Sequence, residues 1–196
     1  MTNNSKNIKL NEAIKNRWSP RSFSNQPVTD EMVELLFEAA RRAPSSRNEQ
    51  PWIYHFAKKQ DESAFNRLFE CLTEGNKVWA HSAQVLMVSV VKKNFDYKNL
   101  PNGKAQHDVG AANISLAIQA TEMGLQVHQM GGFDKGRTTE LLNLDKENFE
   151  PVTMIAVGFP AEETEFSEED KKRMEQHKSR KDQKEFVFRL HEQKLS

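Results

Sequence analysis

The sequence APSSRNEQPW at residues 43–52 lies between an amphipathic helix pattern and a short apolar segment that is typical of a strand. It groups two serines, an asparagine and a glutamine between Pro44 and Pro51. Proline restricts the backbone, which lowers the entropy lost when these polar side chains are held in place. Hydroxyl and amide groups suit a planar heteroaromatic ligand with carbonyl and N–H edges. The alternative is a capped turn, since serine and asparagine are common turn residues.

A second polar stretch, RWSPRSF at residues 17–23, follows a short predicted helix. Side chains two residues apart in an extended backbone point the same way, so Arg17, Ser19 and Arg21 can converge on one anion. The guanidinium group is suited to bidentate contact with phosphate. The alternative interpretation is a basic turn on the surface.

The rest of the chain alternates between helix and strand patterns. Thr29 is expected to cap an amphipathic helix that Pro44 ends. Residues 108–123 predict a helix that is apolar nearly all round, which is typical of a helix surrounded by protein, with Gly124 just beyond its end. The other predicted helices lie at 10–16, 63–73, 138–142 and from 167, and the predicted strands at 52–57, 85–91, 125–129, 152–157 and 186–190. This alternation indicates an α/β or α+β protein.

Composition narrows the class of protein. The chain has 196 residues, 28 basic and 28 acidic side chains and one cysteine. Balanced charge argues against a dedicated nucleic-acid-binding protein, and a single cysteine excludes an internal disulfide framework. The longest apolar run is too short to span a membrane, and residues 1–10 lack an apolar signal core, so we expect a cytoplasmic protein without membrane contact. Because only 37% of the residues are hydrophobic, either the surface is highly charged or a partner chain completes the core.

Three other features of the sequence are considered as possible sites, and none of them predicts one. Residues 131–138, GGFDKGRT, nearly match a P-loop, but Arg137 replaces the lysine and Asp134 would place a carboxylate among phosphates. A glycine-rich turn between a strand and a helix is the simpler interpretation. Cys71 falls in a helical pattern and is expected in the core. The six histidines lack metal-ligand spacing, so we expect no metal site.

Together, R-x-S-x-R-x-F at 17–23 followed by A-P-S-S-x-N-x-Q-P-W at 43–52 resembles the nitroreductase family of FMN-dependent oxidoreductases. Residues 108–125 are similar to the family's long central helix, residues 129–134 to its flavin-facing loop, and residues 153–158 to the strand that follows. The resemblance covers most of residues 10–190.

The resemblance implies an α+β fold with three α/β/α layers. A central mixed, mostly antiparallel sheet would be flanked by helices, and the C-terminal strand would be exchanged within a homodimer. The implied domain organisation is a flexible N-terminus at 1–9, an FMN-binding domain at 10–185 and an arm at 186–196 that pairs with the partner subunit.

The resemblance also implies which residues bind the cofactor. Arg17, Trp18 and Ser19 would hold the FMN phosphate, and Lys178 and Arg180 would close on it. Arg21 would lie near the N1–C2=O edge of the flavin, where a cation favours the reduced ring. The remaining implied FMN contacts are Pro44, Ser45, Ser46 and Asn48 from the other subunit, and Gln129, Met130, Gly131 and Gly132 along the ring.

This sequence departs from the family's pattern at three places. Trp18 stands where many members have a basic residue or histidine, and Gly131 where many have an acidic residue. Asn76 is the candidate for the polar residue that the family places before the second strand. Residues 79–101 are too divergent to define a substrate channel.

The implied activity is reduction of nitro, quinone or similar electron-poor small molecules by a ping-pong mechanism, without a catalytic acid or base from the protein. FMN would be tightly bound, and NAD(P)H would be the transient donor. The alternatives are other flavin chemistry on the same fold, such as flavin fragmentation or dehalogenation, a non-catalytic flavin-holding dimer, and a structural dimer without cofactor.

Overall fold

The computed structural model describes residues 9–162, 166, 168, 171, 172, 175 and 179–190. In chain order, its helices and strands are α1 Glu12–Asn16, α2 Asp30–Arg41, β1 Trp52–Lys58, α3 Glu62–Phe69, α4 Glu74–Ala80, β2 Val85–Lys92, α5 Ala105–Glu122, β3 Gln126–Met130, α6 Lys135–Leu141 and β4 Phe149–Gly158. Short 3₁₀ turns lie at Ser46–Asn48, Tyr97–Asn99 and Gln183–Glu185. In this part of the chain, no helix is both long and apolar enough to cross a membrane.

The strands form one sheet in the order β1-β2-β4-β3. Each neighbouring pair is antiparallel. β2 lies between two other strands, and every one of its residues except Lys92 is buried. Burial on both faces explains why residues 85–91 are an almost continuous apolar run rather than an alternating one. The predicted α+β fold is therefore confirmed.

Helices cover both faces of this sheet. Leu86, Val88 and Met154 pack on one face against residues of α3 and α4. Met87 and Ile155 point to the opposite face, where α2 and α5 complete a second cluster. Adjacent residues of a strand face opposite sides, so one apolar segment supplies both clusters. The result is the three-layer arrangement that the resemblance implies.

Eight of the 18 residues of α5 are buried in the single chain, so the burial that its all-round apolar pattern predicts is present only in part. Its buried residues include two polar ones, Asp108 and Asn113, and both bind loops or strands described below. Gly124 follows the helix with φ +77°, a conformation in which a side chain would be strained, so the predicted role of this glycine is confirmed.

One predicted helix is shorter than expected, and a further helix follows it. The helix predicted at 63–73 ends at Phe69, and the next helix, α4, was not predicted. Leu72 forms a β-bridge with Phe133, and the Asp134 amide donates to the Cys71 carbonyl. These contacts with a distant segment withdraw Cys71 and Leu72 from the helical hydrogen-bond pattern. Cys71 is nevertheless buried in the core, as predicted.

The C-terminal prediction has a mixed outcome. Within the predicted helix from 167, positions 168, 171, 172 and 175 are described and helical. The prediction of a strand at 186–190 is wrong for the single chain, because no described strand lies beside this segment. Phe188 is 81% exposed and Leu190 is 97% exposed. The exchanged strand and the domain limits stay predictions.

Candidate functional site

The end of α1 places the first arginine. The Arg17 amide donates to the Ala13 carbonyl and closes the helix, and Arg17 then adopts an extended conformation. Its Nη1 lies 3.4 Å from Ser19 Oγ, so the two side chains share one side, as the spacing predicts. The Trp18 amide donates to Gln126 Oε1 at 3.1 Å. Because this amide is already satisfied by the protein, the backbone of Trp18 is a weaker candidate for a phosphate contact than the side chains beside it.

Arg17 is half-buried in this loop, and the charge of Arg180 acts on it. Burial lowers the pKa of Arg17, and the nearby positive charge of Arg180 lowers it further. Among the described residues no carboxylate forms an ion pair with Arg17. A half-buried cation without an acidic partner favours an anion beside it. The contact of Arg17 with Ser19 is as the spacing predicts. The phosphate role of these residues and of Arg180 stays a prediction, and Lys178 lies outside the described residues.

Arg21 lies over an aromatic side chain that the sequence did not single out. Its guanidinium carbon is 6.0 Å from the centre of the Trp79 ring. The Trp79 ring in turn lies 4.5 Å from the ring of His128, whose Nδ1 is 2.8 Å from the Pro20 carbonyl oxygen. A cation over an indole face is attracted by the ring electrons, so Trp79 holds Arg21 in place. Through these contacts α4 and β3 fix the position of the basic loop.

The glycine-rich turn after β3 presents its backbone. The Gly132 carbonyl accepts hydrogen bonds from the Thr73 amide, Thr73 Oγ1 and Asn76 Nδ2, at 3.1, 3.0 and 2.8 Å. Neither the Gly131 nor the Gly132 amide donates to another described residue. A Cβ on Gly131 would meet nothing within 4 Å. The turn therefore offers two N–H groups that no described residue accepts, with open space at Gly131. Asn76, the candidate for the polar residue before the second strand, contacts this turn, and its role toward the cofactor stays a prediction.

The polar loop at 45–50 is held in a different place. The Ser46 amide donates to Asp108 Oδ2 at 2.9 Å, and the Gln50 amide donates to Ser45 Oγ at 3.0 Å. Three residues of the loop, Arg47, Asn48 and Gln50, have φ between +50° and +57°. Such conformations are costly for side chains other than glycine, and they persist where surrounding contacts enforce them. Pro44 and Asn48 are exposed.

The serine loop and the basic loop lie at opposite ends of α5. Ser46 contacts Asp108 near the start of this helix, whereas Gln126, which binds Trp18, lies 3.5 Å from Thr121 near its end. At 1.5 Å per residue, Asp108 and Thr121 are about 20 Å apart. The two loops of one chain therefore do not meet at a single phosphate.

The patterns that predicted no site have structural explanations. The P-loop-like segment is a turn in which Asp134 caps α6 by accepting from the Arg137 amide. The Arg137 guanidinium donates to the Glu70 carbonyl. Across the described ranges no three histidine, cysteine or acidic side chains are grouped as metal ligands.

Sequence reasoning missed Trp79, His128 and Asp108. His128 precedes the predicted flavin loop by one residue, so its position was a usable signal. Trp79 and Asp108 are joined to their partners only by tertiary packing, and a single sequence carries no sign of those contacts.

The chain is an α+β protein. Its basic loop at 17–21 contacts β3, and β3 leads into the glycine turn at 131–132. A model described as the nitroreductase family matches residues 14–159. The chain belongs to the nitroreductase family, as its motifs predicted.

Individual relatives agree with this assignment. A solved structure described as an oxidoreductase containing FMN is 31% identical, with a TM-score of 0.78 and coverage of 88% of this chain and 89% of its own. An Archaeoglobus fulgidus protein named as an NADH dehydrogenase/NAD(P)H nitroreductase is 28% identical over 161 residues, 80% of this chain and 88% of the relative. A Bacillus subtilis NAD(P)H-dependent FMN reductase is 27% identical over 174 residues, 78% of this chain and 68% of the relative.

Proposed function

We propose that this protein is an FMN-dependent oxidoreductase that takes electrons from NAD(P)H and passes them to nitro, quinone or similar electron-poor small molecules. The observation that carries the proposal is a half-buried Arg17 with no acidic partner among the described residues, on a loop that contacts β3 where His128 meets the Pro20 carbonyl, three residues before the free amide of Gly131. When bound, FMN supplies the two-electron chemistry, and the names of the relatives agree with NAD(P)H as donor. The NAD(P)H requirement favours a cytoplasmic location.

The phosphate end of the cofactor fits the basic loop. Arg17 and Arg180 supply two positive charges, and the Ser19 hydroxyl supplies a further donor on the same side as Arg17. Charge-assisted hydrogen bonds to a phosphate are stronger than neutral ones and also fix orientation. The protein thereby retains FMN through groups that take no part in electron transfer, and Lys178 is proposed to join them.

The ring end fits the glycine turn. The amides of Gly131 and Gly132 lack acceptors in the described chain, and the open space at Gly131 allows a planar ring to approach the backbone. Arg21, held by Trp79, supplies the positive charge that favours electron-rich oxygen and nitrogen atoms at the ring edge. These groups act by position and charge, so the mechanism requires no catalytic acid or base from the chain.

A second subunit completes the site in this proposal. Since Ser46 and Trp18 of one chain lie at opposite ends of α5, a two-fold dimer with antiparallel copies of α5 brings the serine loop of one chain to the basic loop of the other. Pro44, Ser45, Ser46 and Asn48 then reach the partner's FMN. The exposed apolar residues at 186–190 supply an arm that pairs with the partner.

The test is the visible absorbance of the FMN-loaded protein under anaerobic mixing. In a ping-pong scheme, NAD(P)H alone lowers the flavin absorbance, and a later addition of a quinone restores it. Loss of absorbance only when both substrates are present would contradict the ping-pong order. Tight FMN binding without NAD(P)H consumption across a panel of acceptors would instead favour the flavin-holding dimer.

A further inference from the structure

A chain of hydrogen bonds centred on the buried Asn113 runs across the sheet to the exposed Gln129, just before the proposed flavin turn. Tyr54 Oη lies 2.8 Å from Asn113 Oδ1, and Asn113 Nδ2 lies 3.3 Å from Ser89 Oγ and 3.2 Å from Gln129 Oε1. These residues belong to β1, α5, β2 and β3 in turn. Asn113 is 2% exposed and Ser89 is fully buried, so water does not substitute for the partners.

In the order of donors and acceptors along this chain, the Asn113 amide has its nitrogen toward Ser89 and Gln129 and its oxygen toward Tyr54. Ser89 Oγ accepts from this nitrogen, which leaves its single hydrogen directed to the side of the Thr153 carbonyl oxygen, 3.5 Å away. Tyr54 donates to that oxygen, and burial raises the pKa of Tyr54, which keeps its hydroxyl protonated.

The same order sets the carboxamide of Gln129. The second hydrogen of Asn113 Nδ2 is directed to Gln129 Oε1, so the oxygen of Gln129 is held inward and its NH₂ group is directed away from Asn113. In the described chain this NH₂ group has no acceptor. Gly131 directly follows β3, two positions after Gln129. Continuing the alternation of the strand by one residue places the Gln129 side chain and the open position at Gly131 on the same face.

We propose that Asn113, fixed by Tyr54 and Ser89, is a positioning residue that makes Gln129 an N–H donor toward the flavin edge at Gly131. This inference rests on the proposed function. It adds that the Gln129 N–H donor raises the midpoint potential of the bound cofactor. A donor at the ring edge binds electron-rich atoms better than electron-poor ones, so it favours the reduced over the oxidised cofactor. Loss or reversal of the donor therefore lowers the midpoint potential.

Asn113→Asp and Gln129→Met test this order of donors. A carboxylate at 113 has no hydrogen to donate, so Gln129 reverses and presents its oxygen to the ring. Gln129→Met removes the N–H donor itself. Because Gln129 is exposed, this variant is expected to fold even if Asn113→Asp does not. The matched control is Asn102→Asp, which introduces a carboxylate at another buried asparagine, in the loop before α5.

The readout is the midpoint potential of bound FMN, measured by spectroelectrochemical titration, together with the Kd for oxidised FMN. We expect Asn113→Asp and Gln129→Met each to reduce the preference for reduced cofactor by about three- to tenfold, or about 14–30 mV for two electrons. Asn102→Asp should leave the potential unchanged. In the Gln129→Met background, Asn113→Asp should cause no further fall, since its effect passes through Gln129.

The outcomes separate this inference from the proposed function. A wild-type protein that binds no FMN overturns the function and this inference with it. The wild-type protein could instead bind FMN while both variants, Asn113→Asp and Gln129→Met, show the wild-type midpoint potential. That result overturns the positioning role alone. A further fall caused by Asn113→Asp in the Gln129→Met background would show that Asn113 acts by another route and would also overturn it.

Discussion

Replacing Gly132 with alanine should destabilise the fold, whereas the same change at Gly131 should not. A Cβ on Gly132 would lie 2.8 Å from Asn76 Nδ2 and 2.9 Å from Thr73 Oγ1. Both atoms donate to the Gly132 carbonyl, so relieving the clash moves them away from their acceptor. The Gly131 Cβ would enter open space.

The magnitude follows from these contacts. Losing two hydrogen bonds costs about 1 kcal/mol each, and crowding a packed site costs about 1–3 kcal/mol. Against this, alanine reduces the entropy of the unfolded chain by about 0.4–1 kcal/mol. We expect Gly132→Ala to lower the free energy of unfolding by about 2–4 kcal/mol and Gly131→Ala to change it by less than about 1 kcal/mol.

Urea unfolding of the FMN-free proteins, followed by circular dichroism, measures both values under conditions that exclude cofactor stabilisation. The variants are matched in chemistry and adjacent in sequence, so the comparison isolates the contacts of one methyl group. Equal losses for the two variants, or a neutral Gly132→Ala, would refute the account of the turn.

Further predictions concern the cofactor. Arg17→Ala should raise the Kd for FMN about 10- to 100-fold and leave the weaker Kd for riboflavin, which lacks the phosphate, nearly unchanged in a fluorescence titration; equal losses for both ligands would contradict a phosphate role. Arg21→Ala should lower the midpoint potential of bound FMN, because it weakens binding of the reduced cofactor more than binding of the oxidised cofactor. An unchanged potential in the redox titration would contradict a position of Arg21 at the ring edge. Gly131→Ala should fold normally but bind FMN more weakly by calorimetry, because its methyl group occupies the space proposed for the ring. Asp108→Ala removes the acceptor of the Ser46 amide, so it should release the serine loop and weaken FMN binding without changing the affinity for inorganic phosphate; unchanged FMN binding would speak against the loop's role.

The sheet and the main helices could be predicted because their signals are local. β2 is buried on both faces, so its apolar run is continuous, and Thr29 accepts from the Met32 amide as a helix cap should. The end of α3 could not be predicted, since the bridge between Leu72 and Phe133 joins segments far apart in the chain.

The site was predictable to the extent that its residues are neighbours in sequence. Arg17 and Ser19 share a side because the backbone between them is extended, and the glycine turn follows directly from its two glycines. The contact of Trp79 with His128 and the direction of the Gln129 carboxamide depend on how α4, α5 and β3 pack. A strand at 186–190 needs another strand beside it, and local pattern cannot say whether one is there.

An equilibrium titration of the purified protein with FMN tests the central claim most directly. The account predicts saturable binding of one FMN per chain, with much weaker binding of riboflavin, because two guanidinium groups hold the phosphate. A protein that binds neither compound, or binds both equally well, would contradict a phosphate site at Arg17 and Arg180.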